Sequence, residues 1–193
     1  FGGTSVGSVE NFRKVASIVQ DCQDDKIVVL SAMSGVTNTL VSIAELLKDS
    51  RTNEALELID GLNEKYMLVA KDLLESNEGF YKAQVLLKKQ HQVLLSITED
   101  PFTVQNEKIV MAQGELVSTN LFQLYMEEMK AGSVLLSALD FMHIDKHGEP
   151  QCAVIKNRLG KVLANHQVNT FITQGFICRN EQNEIDNLNR GGS

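Results

Sequence analysis

Three short segments of the chain combine glycine with hydroxyl side chains: Gly2-Gly3-Thr4-Ser5, the stretch Ser31 to Asn38, and Arg190-Gly191-Gly192-Ser193. Glycine lets backbone N–H groups approach an anion closely, and a helix that follows adds the partial positive charge of its N-terminus. Singly, each segment reads as a tight turn. Together they point to binding of a phosphate or a carboxylate. Their spacing matches neither G-x-x-x-x-G-K-[ST] nor G-x-G-x-x-G, which excludes a P-loop and a dinucleotide fingerprint. Glu115 stands within an apolar helical stripe, where a carboxylate taken alone is ordinarily a surface or capping charge. His143 and His147, with Asp145 and Glu149, raise a metal reading. That spacing serves a metal only on a helix, and His147-Gly148-Glu149-Pro150 reads as a turn, so no metal ligand is assigned.

These residues need a frame. Ile27 to Leu30 is an unbroken apolar run of the kind found in a parallel strand buried on both faces, and Ser31 to Asn38 is the loop at its carboxyl end. Thr170 to Thr173 is a second such run, followed by Gln174-Gly175-Phe176, and Ser133 to Ser137 reads as a third strand. In open α/β sheets ligands sit beyond the carboxyl ends of the strands, where these loops fall. Between the strands the apolar period is helical. Ser8 is a candidate cap for a helix over 9–20, and Thr37 or Asn38 for one over 40–48. Leu56, Ile59, Leu62, Tyr66, Val69 and Leu73 mark one stripe of a long hairpin over 53–98, and Val85, Leu86, Val93 and Leu94 the other. Further helices are expected over 107–130 and 153–165, and a polar hairpin over 179–189 anchored by Ile185 and Leu188. Met33, Met111, Met126 and Met129 read as core filler. Strands separated by helices predict an α/β layered fold with a mainly parallel sheet.

The 193 residues carry a net charge of −7, which argues against a nucleic-acid or anionic-membrane surface. Cys22, Cys152 and Cys178 are odd in number and lack C-x-x-C spacing, the pattern of a reducing, cytoplasmic setting. No stretch approaches the roughly 20 apolar residues of a membrane span.

Phe1-Gly2-Gly3-Thr4-Ser5-Val6 resembles the opening of the aspartokinases, whose motif begins with a Lys before Phe. Val29 to Asn38 is similar to their second loop, Gln113-Gly114-Glu115 to a Gly-Glu in a long helix, and Thr173 to Ile177 and Arg190 to Ser193 to their later motifs, in the same order. The Gln-Gly-Phe and Arg-Gly-Gly-Ser forms, with the helical insertion, lean toward the monofunctional lysine-pathway branch rather than the branch fused to homoserine dehydrogenase. The resemblance implies the amino-acid kinase fold, a three-layer α/β/α sandwich, with residues 1–193 as its N-terminal, aspartate-binding part and 53–98 as a helical insertion. It implies phosphoryl transfer from ATP, with Mg, to the side-chain carboxylate of L-aspartate in a cytoplasmic enzyme that is a homo-oligomer at full length. Gly2, Gly3, Gly191 and Gly192 would then bind phosphate. Ser31, Thr37, Glu115, Phe176, Arg190 and Ser193 would bind the substrate, with Glu115 on its ammonium and Arg190 on its α-carboxylate. The family's catalytic Lys and Asp would flank Phe1 and Ser193, so these 193 residues are expected to be a piece of a longer protein, inactive alone. Asn189 stands where the family has Gly. The alternatives are a kinase of glutamate, acetylglutamate or a nucleoside monophosphate, and a non-catalytic binding or assembly module built on the hairpin.

Overall fold

Helices begin where orphan N–H groups find acceptors. In the computed structural model, which describes residues 1–188, Ser8 accepts the Asn11 N–H and opens α1 (Val9–Asp21), whose Phe12, Val15, Ala16 and Val19 are buried. Strand β1 (Lys26–Leu30) leads to α2 (Val36–Lys48). Neither Thr37 nor Asn38 caps α2. The helix starts earlier, after Gly35, whose φ of 79° suits a residue without Cβ, and Thr37 falls within the first turn.

Helices α3 (Thr52–Leu73) and α4 (Asn77–Ile97) form the expected hairpin. Ala83, Leu87, Leu94 and Ile97 make the buried stripe of α4, leaving Val85 exposed: small Ala83, not bulky Val85, lies in the packed seam. Helix α5 (Val104–Glu128) starts three residues ahead of the sequence expectation, because Thr103 and Asn106 cap each other reciprocally. Glu128, in its last turn, accepts from Glu75 N at 2.6 Å, Ser76 N at 3.2 Å and Ser76 Oγ at 2.7 Å, fastening the start of α4. Met33 and Met126 are core residues, whereas Met129 at the end of α5 is exposed.

Strand β2 (Ser133–Leu136), the short helices α6 (Ala138–Phe141) and α7 (Cys152–Ala164), and β3 (Thr170–Gln174) follow. The sheet order is β1-β3-β2, all parallel, with Ile172 paired to Val28 on one side and Leu135 on the other. One face, through Val28, Leu30, Ile172 and Leu135, packs into the large core built with α1 to α5. The opposite face, through Phe171 and Val134, packs against Ile155, Leu159, Val162 and Leu163 of α7. Helices thus lie on both faces of the sheet, as a layered α/β fold requires. Strand β1 is not buried on both faces. Among the described residues α7 covers β2 and β3 only, and Ile27 and Val29 remain about 40% exposed.

A two-stranded antiparallel hairpin, β4 (Ile177–Arg179) and β5 (Ile185–Asn187), follows directly on β3. It begins two residues ahead of the predicted one.

Candidate functional site

The carboxyl end of β1 is the point on which the predicted motifs converge. Phe1 takes a parallel ladder position beside it, donating to Val29 O at 2.6 Å and accepting from Ser31 N at 3.1 Å. Two residues on, Gly3 O accepts from Ser34 N at 3.1 Å, joining the first glycine loop to the second. From the other side Gly175 N donates to Leu30 O at 2.9 Å, so the turn after β3 arrives at the same place. Phe176, within that turn, has a φ of 64°, a strained value for a residue with a side chain. It is half-buried against the second core, and its carbonyl accepts from Leu188 N at 2.7 Å.

Beneath the loop runs α5. Ser118 Oγ donates to Ser31 O at 2.8 Å, and Gly114 lies so close that a Cβ added there would stand 2.6 Å from the Ala32 side chain. That close approach explains an interior helix glycine that propensity disfavours by about 1 kcal/mol. It brings Glu115 under Ala32, whose N–H donates to the carboxylate. Glu115 is 6% exposed and has no cation partner among the described residues. Burial pushes its pKa up to about 7, against the opposing pull of the backbone hydrogen bonds. A carboxylate buried without a basic partner is costly to ionise, which is why its proton is held to a higher pH than usual. The neighbouring Tyr66 hydroxyl is buried without a hydrogen-bond partner among the described residues, and burial, with the nearby Glu115 charge, raises its pKa.

The predicted residues therefore divide. Gly3 and Ser31 are bonded into the junction of the two loops, and Glu115 lies beneath Ala32 of the second loop. Gly2 is exposed and bonded only within its own turn, Thr37 sits exposed in the first turn of α2, and Phe176 follows the turn joined to Leu30. Arg190, Gly191, Gly192 and Ser193 lie outside the described residues. His143 is buried beside Arg179 and His147 lies on an exposed turn, and among the described residues no three His, Cys, Asp or Glu side chains gather as a metal site. Sequence reasoning missed Ser118, Tyr66 and Lys65, whose Nζ donates to Ser34 O at 3.3 Å. Only Gly114, a glycine inside a helical period, signalled a close approach.

The sequence model of the amino acid kinase family matches residues 1–193. The chain belongs to that family. Among its relatives, the chloroplastic bifunctional aspartokinase/homoserine dehydrogenase of Daucus carota is 30% identical over 205 residues, covering 100% of this chain and 22% of that protein. The crystal structure of Escherichia coli aspartokinase III in complex with lysine and aspartate (T-state) superposes with a TM-score of 0.82 at 28% identity, over 100% of this chain and 43% of that one. The same enzyme in complex with aspartate and ADP (R-state) gives 0.78 at 27% identity, with the same coverage. The chain thus spans less than half the length of these family members. Both the fused and the separate kinase stand among them, so the lean toward one branch is not decided.

Proposed function

We propose that the whole protein is an aspartokinase, transferring the γ-phosphoryl group of ATP to the side-chain carboxylate of L-aspartate to give β-aspartyl phosphate. In this reading residues 1–193 form the N-terminal, aspartate-binding part of the kinase domain, with 53–98 as a helical insertion. The observation that carries it is the buried Glu115 carboxylate, without a cation partner among the described residues, beneath the glycine loops at the end of β1. The relatives solved with aspartate and with ADP support the choice of substrates.

The chemistry asks little of proton transfer. An aspartate carboxylate of pKa about 3.9 is already ionised near neutrality, so no general base is required. What remains is to position two anions and neutralise charge. Glu115 would hold the α-ammonium, Ser31 and Thr37 would present hydroxyls, Phe176 would line the pocket, and Arg190 would grip the α-carboxylate with its planar fork beside Ser193. Gly2 and Gly3 suit an anion: among the described residues their N–H groups donate to no carbonyl, and a Cβ on Gly3 would stand 2.8 Å from Ala32 O. Gly191 and Gly192 would act likewise. Among the described residues no group of three or more His, Cys, Asp or Glu gathers, and magnesium, ordinarily held by one or two carboxylates together with substrate phosphates, would arrive with ATP. A cytoplasmic location, homo-oligomeric assembly and a role in lysine biosynthesis belong to the same proposal.

Hydroxylamine trapping tests it. The full-length protein is expected to give ATP-dependent aspartyl hydroxamate, and the 193 residues alone none, because the family's Lys and Asp fall outside them. Product from glutamate or acetylglutamate but not from aspartate would assign a different amino-acid kinase.

A further inference from the structure

The helical hairpin reaches the strand-end loops through Lys65 of α3. Its Nζ donates to Ser34 O at 3.3 Å, and a Cβ added to Gly35 would stand 3.8 Å from that nitrogen. The next residue, Tyr66, is buried in the seam that Gln113 and Val117 of α5 also line, and Lys65 is turned instead toward the second loop. An ammonium has three donors, so two stay available. Among the described residues no carboxylate lies within ion-pair distance of Lys65. Its neighbours one turn away on the helix surface, Gly61, Leu62, Leu68 and Val69, offer none either.

That ammonium sits where a cation is disfavoured. Gly35 is the N-cap of α2 and supplies no side-chain acceptor. The N–H groups of Gly35, Thr37 and Asn38 find no partner among the described residues, whereas Ser34 N and Val36 N are taken by Gly3 O and Met33 O. A helix start carries partial positive charge, which repels a lysine and favours an acid. Helices α1, α3, α4 and α5 have Glu10, Glu54, Glu78 and Glu107 in their first turns, and α2 has no acid there. Like-signed groups therefore gather at the tip of the second loop without a negative partner, an arrangement that an anion would relieve. A second observation comes from the same loop. Ala32 N–H donates to Glu115, which is 6% exposed and has no cation partner among the described residues. Residues 32 and 34 are at most about 7 Å apart along the chain. One short loop thus joins an unpaired carboxylate to an unpaired ammonium, a spacing that suits a small ligand carrying both charges.

We propose that Lys65 is a further substrate-binding residue, whose ammonium takes the side-chain carboxylate of aspartate while Glu115 holds the α-ammonium. This rests on the aspartokinase reading above. The hairpin is then a wall of the site, and not merely a cover or a partner surface. Gly3 O is bonded to Ser34 N, so the loop proposed to hold the phosphate meets the loop that Lys65 touches. A cation at that junction offsets the repulsion between the reacting carboxylate and the incoming phosphoryl group.

The test uses the full-length protein and the variants Lys65→Met and Lys65→Arg. Steady-state kinetics would give kcat and the KM for aspartate and for ATP. Competition by asparagine, which keeps the α-ammonium and α-carboxylate but carries a neutral amide in place of the reacting carboxylate, would give a Ki. Lys65→Met is expected to raise the KM for aspartate about tenfold, the size of a lost charge-assisted hydrogen bond. It should leave the KM for ATP and the asparagine Ki within about twofold, and Lys65→Arg should recover most of the loss. Equal losses toward aspartate and asparagine, or no recovery by Arg, would show a merely structural contact and overturn the proposal. An unchanged KM for aspartate would overturn it too, and a rise confined to the KM for ATP would place Lys65 on the nucleotide instead. Should Lys65→Met fail to fold, Lys65→Gln is read by the same criteria, and failure of both to fold would make Lys65 a structural residue and count against the proposal. Absence of aspartate phosphorylation in the unsubstituted protein would instead refute the functional reading.

Discussion

Replacing Glu115 with Gln should strengthen the fold and weaken aspartate binding, and both effects should depend on pH in a calculable way. The ordinary glutamate pKa of 4.5 is raised to about 7 by burial. A folded-state pKa above the unfolded one means that the folded protein keeps its proton longer, so ionisation is a cost to the fold. That cost is absent below pH 4.5, grows as pH rises toward 7, and is constant above it. The difference of 2.5 between those values corresponds to about 3 kcal/mol at roughly 1.36 kcal/mol per unit, an upper figure for a site that relaxes. Urea unfolding at pH 5 and at pH 8 should show the Gln variant gaining on the wild type by about 1–3 kcal/mol at the higher pH, with little difference at the lower. An ammonium in the site reverses the preference, so aspartate should bind the ionised form. With a pKa of about 7, the ionised fraction falls about tenfold between pH 8 and pH 6, and the Kd for aspartate in the full-length protein should rise about tenfold. The substrate carboxylate, near 3.9, stays ionised throughout that window and adds no slope. Isothermal titration at the two pH values would measure it, with Glu115→Gln binding more weakly and without the slope. A wild-type Kd equal at pH 6 and pH 8, or the same slope in the Gln variant, would refute the assignment of Glu115 as the ammonium receptor.

Two further outcomes separate the site from its scaffold. Gly114→Ala should gain about 1 kcal/mol of helix propensity but lose about 1–3 kcal/mol to overpacking, because its Cβ would meet Ala32 at 2.6 Å. Urea unfolding should show a net loss, accompanied by a raised KM for aspartate as the loop shifts. Glu128→Ala removes the acceptor for Glu75 N, Ser76 N and Ser76 Oγ. It should cost about 1–2 kcal/mol by thermal unfolding and leave the KM for aspartate unchanged, since that cap lies in the last turn of α5, well beyond Glu115.

The sequence announces a structural feature where one local cause decides it. The Ser8 cap, the helical hairpin and the parallel runs at β1 and β3 were legible because hydroxyl capping and apolar period act within a few residues. The start of α2 was missed because a glycine at positive φ replaced the expected hydroxyl cap. In the α4 stripe Leu86, Val93 and Leu94 do face the core, whereas Val85 does not, because bulk was taken for burial. Covering of β1 depends on what packs against it from elsewhere, which no window along the strand reveals. The glycine loops could be read as anion-binding turns one at a time. Their meeting at Leu30, Ser31 and Ser34 is a tertiary fact.

Helix α5 shows why Glu115 in particular could not be judged from its neighbours in sequence. A helix with one apolar face hides its polar residues in solvent, and Glu115 would then be one more surface charge. This helix is enclosed instead, by the hairpin and α2 on one side and by β2 and β3 on the other, and it buries Gln113, Glu115, Ser118, Thr119 and Gln123 together. Each buried polar group needs a partner. Ser118 finds Ser31 O, Thr119 finds Gln174 Nε2 at 2.8 Å, and Gln123 finds Ser133, so the helix is bonded to the ends of all three strands. Glu115 is the member of that row left without a countercharge. Gln113 Nε2 finds Ile109 O while its Oε1 has no partner among the described residues, and Glu115 is the buried carboxylate of the row, lying where the strand-end loops meet. In the proposed reading, the α-ammonium of aspartate is the partner that completes it.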